Sequence, residues 1–227
     1  WEINPDCCIE IIGLEINPRV PQAAIEHQLF ENWNTNLIDS LTKLAFEHQV
    51  QKQSLKAKLL IGDARDKINQ VYQSGFKADA IFLDPFSPPH CPHLWTIEFL
   101  QLVSQCLQSD GLLATYSCAA SVRTALVNTG LSISSTSPVG RKAPGTVAGF
   151  NISCCTGETN NSNSPVHKFP HLSQREKEHL LTRAAVPYRD PELTDTPETI
   201  IQRRKLEQQA SDLEATSHLR KRWLPVY

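Results

Sequence analysis

Ala78-Asp79-Ala80-Ile81-Phe82-Leu83-Asp84-Pro85-Phe86-Ser87-Pro88 is an apolar run that ends on a carboxylate and is halted at once by proline. The pattern stands twice more upstream. Ala57-Lys58-Leu59-Leu60-Ile61-Gly62-Asp63 closes on an acid, and so does Cys8-Ile9-Glu10-Ile11-Ile12-Gly13-Leu14-Glu15. Helix-spaced apolar residues separate the three runs, from Pro21 towards Phe30, from Leu37 to Phe46, and from Ala64 to Ser74 with Gly75 as the stop. Such alternation implies a mainly parallel, doubly wound α/β sheet. Ligands of these sheets bind outside the carboxyl ends of the strands, so Glu15, Asp63 and Asp84 are expected at one crevice.

The alternation continues downstream. A helix is predicted from Leu94 to Leu107, stopped by Ser109-Asp110-Gly111 ahead of the strand Leu112 to Tyr116, and a second from Ala119 to Asn128. Two last strands, near Leu131 to Ser137 and Thr146 to Cys154, flank the loop Gly140-Arg141-Lys142-Ala143-Pro144-Gly145 and form a C-terminal antiparallel hairpin. From Thr156 composition collapses into Gly, Asn, Ser and Pro, which marks a flexible linker. The expected division is a domain over 1–155, a linker over 156–170 and a tail over 171–227. Ser173-x-x-Glu176 is a capping box and Thr196-Pro197 a second helix start, so the tail is expected to be helical and exposed. It is also basic, with Arg203, Arg204, Lys205, Arg220, Lys221 and Arg222 against Glu207, Asp212 and Glu214.

At 227 residues, 40% apolar and 20% charged, the chain is a globular α/β domain with an appendage, not a disordered polyelectrolyte. No run approaches the roughly 20 apolar residues of a spanning helix. The net charge of −2 does not announce a nucleic-acid binder, so any such contact must be local. Seven cysteines, two pairs of them adjacent, and no secretory segment suit buried thiols in a reducing cytoplasm. A chain that opens at Trp1 and holds no methionine reads as an excerpt of a longer protein.

An ionised carboxylate offers acceptors only, which suits Glu15 to both hydroxyls of a ribose. Asp63 is suited to an exocyclic adenine amine, and Asp84, on its proline-stiffened turn, to the reacting centre. For Tyr116 and Ser117 a pocket role competes with strand termination and helix capping, and the latter is the favoured reading. His90-Cys91-Pro92-His93 lacks the partner pair that a closed four-ligand site needs, so no metal is expected. Arg123 is expected on a solvated helix face, while Arg141 and Lys142 are candidates for phosphate contact.

On these residues the chain resembles a class I S-adenosylmethionine-dependent methyltransferase without its first strand and glycine-rich loop. More narrowly, the 78–88 stretch, Pro92-His93-Leu94-Trp95-Thr96, Gly111-Leu112-Leu113-Ala114-Thr115-Tyr116-Ser117, Ala120-Ser121-Val122-Arg123 and Gly140-Arg141-Lys142 resemble the methyltransferase domains of tRNA 5-methylaminomethyl-2-thiouridine biosynthesis proteins. The resemblance runs from about Ile9 to Ser153. It implies S-adenosylmethionine as cofactor and methyl transfer to the aminomethyl nitrogen of a wobble uridine in tRNA. Glu15 then becomes the ribose ligand, Asp63 with Ala64 the adenine side, and Asp84 the residue beside donor methyl and incoming amine. Phe86 and Trp95 would wall the base pocket. An FAD-dependent oxidase acting upstream is implied as a partner.

Two other readings remain open at this point. A polyamine-synthase-like aminopropyltransferase shares the sheet and the ribose acid, although such enzymes prefer an Asp-Ser-x-Asp turn where this chain has Asp84-Pro85-Phe86-Ser87. A non-catalytic RNA-binding or partner-binding module would retain the sheet without the cofactor loop.

Overall fold

A computed structural model describes residues 4, 6–152 and 169–223. Cys154-Cys155 and most of the expected linker lie outside them. The chain divides into two compact units, one ending at Gln70 and one beginning at Val71.

In the first unit, β1 (Ile9–Glu15) leads through α1 (Arg19–Glu26) and α2 (Thr35–Glu47) to β2 (Gln49–Gln51) and β3 (Leu55–Ile61), after which α3 (Ala64–Gln73) carries the chain onward. β1 and β3 run parallel in register from Ile9↔Leu55 to Glu15↔Ile61, so the two strands finish level. β2 folds back antiparallel along β3, giving the order β1-β3-β2. The sequence predicts only a polar connection at β2. His48, at φ 60°, makes the left-handed turn that ends α2, and Val50 buries against Leu55, Ala57 and Leu44.

The second unit holds β4 (Ala78–Phe82), a 3-10 turn at Pro92–Trp95, α4 (Ile97–Gln105), β5 (Leu107–Thr115), α5 (Ala120–Asn128), β6 (Ser132–Ser135) and β7 (Thr146–Gly149). Its strand order is β4-β5-β7-β6; β4 and β5 are parallel, and β7 is antiparallel to both of its neighbours. The expected closing hairpin is therefore the β6–β7 pair. Ser109-Asp110-Gly111, expected to separate helix from strand, lies instead inside β5 as an irregularity of the β4–β5 ladder. Glycine is required there, because a Cβ at residue 111 would sit 2.8 Å from the Ala78 carbonyl.

The tail belongs to this second unit rather than standing free of it. α6 (Gln174–His179), α7 (Pro197–Ala210) and α8 (Thr216–Arg222) bury Ile200 and Leu219, and α7 packs against the Pro92–Trp95 turn. Tyr188 bridges to Thr96, and Glu98 accepts from Arg189 Nε at 2.6 Å and from the Asp190 backbone at 2.8 Å. Much of the basic charge is spent internally. Arg203 pairs with Asp195, Arg204 donates to the Val186 and Ala184 carbonyls above the Tyr188 ring, and Arg222 pairs with Glu178 and Glu214.

Arg123 is not on a solvated face. Its side chain is 2% exposed, within an α5 that is buried almost all round, and its guanidinium bonds Thr146 Oγ1, Ser135 Oγ and the Gly145 carbonyl. It pairs with Glu176 Oε1 at 2.7 Å, tying the first turn of α6 to the closing hairpin. The capping box expected there is complete, Ser173 and Glu176 each bonding the other's backbone amide. Burial pushes the Glu176 carboxyl up, but bonds from Ser135, from the Ser173 amide and hydroxyl, and from Arg123 outweigh it and hold the group at about 2. Its folded value is depressed, so the stability it contributes is complete above about pH 4.5 and drains away as pH falls towards 2. Glu176→Gln is expected to cost roughly 3 kcal/mol at pH 7 in denaturant unfolding. The deficit against wild type should shrink by on the order of 2 kcal/mol at pH 3.

Candidate active site

Glu15 and Asp63 stand at the level ends of neighbouring parallel strands, linked by the Gly62 amide, which donates to the Glu15 carbonyl at 2.9 Å. Gly62 has φ 137°, a backbone conformation that L side chains rarely adopt, so this strand-to-helix passage needs glycine. Glu15 Oε1 accepts the Asn17 amide at 2.9 Å, leaving Oε2 without a bond among the described residues. Asp63 opens α3 and accepts the Arg65 amide at 2.9 Å, while the Arg65 guanidinium reaches Oδ2 at 2.8 Å. Ala64 follows as the first residue of the helix. Two acceptor-only groups side by side fit the hydroxyls and amine of an adenosine. Arg65, missed in the sequence, sets the orientation of one of them.

At the end of the β4–β5 pair, the Leu83 amide donates to the Ala114 carbonyl at 2.9 Å. Past that last rung Asp84 is exposed, Phe86 is 82% exposed, and Tyr116 at the end of β5 is 51% exposed. Trp95 does not present a ring beside them. It is 1% exposed, and its indole N–H donates to the Phe86 carbonyl at 2.8 Å, so the expected wall of a base pocket is a support beneath the turn. Ser87 Oγ and His90 Nδ1, 2.8 Å apart, close the same turn.

Arg141 is exposed, but its guanidinium is committed to its own loop and to the end of β5. It donates to the carbonyls of Tyr116, Ala143 and Pro144, and its guanidinium lies 5.3 Å from the Tyr116 ring centroid. Lys142 stays exposed. Tyr116, read from sequence as a strand end, is thus a braced and half-exposed aromatic on the strand next to Asp84. The β4–β5 register is the signal that would have found it. Cys91 and Cys106 are buried as expected, whereas Cys7 and Cys8 are exposed. Among the described residues no group of three His, Cys, Asp or Glu is placed to hold a metal, and no helix is long and apolar enough to cross a membrane.

A family model described as S-adenosyl-L-methionine-dependent methyltransferase matches residues 22–151, more than half of the chain. The chain belongs to that family. An uncharacterized protein of Methanocaldococcus jannaschii is 30% identical over 200 residues, covering 88% of this chain and 50% of its own length. The tRNA 5-methylaminomethyl-2-thiouridine biosynthesis bifunctional protein MnmC of Aromatoleum aromaticum is 30% identical over 159 residues, covering 64% of this chain and 23% of that protein. The crystal structure of MNMC2 from Aquifex aeolicus superimposes with a TM-score of 0.69 at 28% identity, over 92% of this chain and 61% of that one. The chain therefore spans about half the length of the first of these relatives and less of the second. The methyltransferase uses S-adenosylmethionine, and the matched stretch contains Asp63, Asp84, Phe86 and Tyr116, with Glu15 ahead of it.

If Trp95 supports the methyltransferase's Asp84 turn, Trp95→Phe leaves the Phe86 carbonyl without its donor and is expected to cost about 1–3 kcal/mol in denaturant unfolding. Exchange of the Leu83, His90 and Cys91 amides, which are bonded at the two ends of the turn, should quicken. Unchanged exchange in that turn would show that the indole bond does not hold it.

Proposed function

We propose that this methyltransferase acts on tRNA, moving a methyl group onto the aminomethyl nitrogen of a wobble uridine, from 5-aminomethyl-2-thiouridine to 5-methylaminomethyl-2-thiouridine. The observation that carries the reading is the exposed Asp84 and Phe86 on a turn held from below by the buried Trp95. The substrate class comes from the relatives whose names are those of tRNA biosynthesis proteins.

When bound, S-adenosylmethionine supplies an electrophilic methyl on a sulfonium that leaves as neutral thioether. Glu15 accepts from the ribose hydroxyls, while Asp63, oriented by Arg65, takes the adenine amine with Ala64 beside it. An alkylamine is protonated near neutrality, with a pKa of about 10 like that of lysine. That ammonium has no lone pair, so Asp84 first takes one of its protons and passes it to solvent, then accepts an N–H of the neutral amine and aims its freed lone pair. As the N–C bond forms the C–S bond breaks, and the methylated ammonium sheds its extra proton to solvent. Phe86 and Tyr116 flank the base, with Arg141 bracing Tyr116, and Lys142 contacts backbone phosphate.

On the same reading, residues 1–155 form the methyltransferase domain, 156–170 a linker and 171–227 a helical basic tail. An FAD-dependent oxidase supplies the amine, and the protein works in the cytoplasm.

In the full-length protein, Asp84→Asn is expected to leave cofactor affinity within about twofold and to lower turnover on hypomodified tRNA by roughly 10²–10⁴-fold. The deficit should narrow as pH rises towards 10, where solvent deprotonates the amine. Unchanged turnover removes Asp84 from the reaction. Incorporation from decarboxylated donor into putrescine, without methyl incorporation into tRNA, would make the chain an aminopropyltransferase.

A further inference from the structure

A cleft of about 300 Å³ in the first unit is lined by Lys43, Lys52, Lys56 and Lys58, with Glu47 the one acid among its walls. The concentration is local, since the whole chain carries a net charge of −2. Three elements supply it. Lys43 stands on α2, Lys56 and Lys58 on β3, and Lys52 on the turn between β2 and β3. The ladder sets Gln51 opposite Lys56 and Gln49 opposite Lys58, so polar amides fill the gaps between the cations.

Two of the lysines are held and two are uncommitted. Lys52 Nζ donates to Ser40 Oγ at 2.7 Å and to the Asn36 carbonyl at 3.2 Å, and Lys56 pairs with Glu10 at 2.5 Å. The side chains of Lys43 and Lys58 make no hydrogen bond or ion pair among the described residues, nor does that of Glu47. Charges that guard a sheet against edge-to-edge pairing sit on the edge strand. Here the edge strand β2 is Gln49-Val50-Gln51 and carries none. The lysines lie behind it and line the cleft together, a concentration of positive charge suited to an anion.

Lys58 precedes the end of β3 at Ile61 by three residues, which is roughly 10 Å of strand at about 3.3 Å per residue. That is about three phosphate steps along one strand of a duplex. A polymeric anion with one segment near the Glu15 and Asp63 ends of this sheet therefore reaches the cleft, whereas a single small anion would have no reason to do both. We infer that the cleft between α2 and the β2–β3 hairpin binds the phosphodiester backbone of the nucleic-acid substrate, with Lys43 and Lys58 as the phosphate contacts. The inference rests on the reading of the chain as a tRNA methyltransferase.

The test is equilibrium binding of a labelled tRNA anticodon stem-loop by the full-length protein between 50 and 200 mM KCl. Lys43→Gln with Lys58→Gln is expected to weaken binding at 50 mM by at least roughly tenfold and to flatten the slope of log K against log salt by about 1.4–1.8. Lys43→Arg with Lys58→Arg should restore the slope, and Lys177→Gln, on α6, should leave it unchanged. A slope equal to wild type in the glutamine pair overturns the cleft, even where methyl transfer persists. So does a wild-type protein that binds no RNA. A flattened slope in a protein that transfers no methyl group to tRNA keeps the cleft and fails only the reaction.

Discussion

The last rung of the β4–β5 ladder, the Leu83 amide on the Ala114 carbonyl, fixes where two chains of side chains leave the sheet together. Parallel strands point their carboxyl ends the same way, so whatever follows the rung on each strand emerges on one side. Asp84 and Phe86 follow on one strand, and Tyr116 on the other. The rung alone would leave both loops loose. The indole of Trp95 holds one through the Phe86 carbonyl, and Arg141 holds the other through the Tyr116 carbonyl. The first unit repeats the principle, with Gly62 bonding across to Glu15 where β1 and β3 end level.

Around the second pair of strands, the tail behaves as framework. Arg123 is a buried cation made tolerable by Thr146, Ser135, Gly145 and Glu176 together, and removal of Glu176 would leave desolvated charge without its counter-charge. The segment from Tyr188 to Asp190 runs along the start of α4, directly after Trp95. Packing in the tail thus supports the turn that carries Asp84 through a short chain of contacts. This accounts for basic side chains that sequence composition alone assigns to solvent or RNA.

Strand-then-acid repeats were legible because apolar period and carboxylate position are local properties of the chain. The helices and the closing hairpin were legible for the same reason, as was the Ser173 capping box. What the sequence hides depends on partners far away in it. Trp95 carries the same residue type whether it stacks on a base or supports a loop, and only its 1% exposure distinguishes the two. Arg123 shows nothing in its own residue type of the partly buried acid at Glu176. β2 is three residues long, with one apolar side chain to announce it. Tyr116 acquires significance only from the register that sets β5 beside β4. Neither the union of Lys43 with Lys58 nor the grip of Arg65 on Asp63 follows from periodicity.

The central claim concerns which atom receives the methyl group. The most direct measurement is nucleoside mass spectrometry of hypomodified tRNA after incubation of the full-length protein with isotopically labelled S-adenosylmethionine. The account predicts a single labelled nucleoside, the wobble uridine, with the label on its aminomethyl nitrogen. Label on another base, on a ribose or on no RNA at all would contradict it.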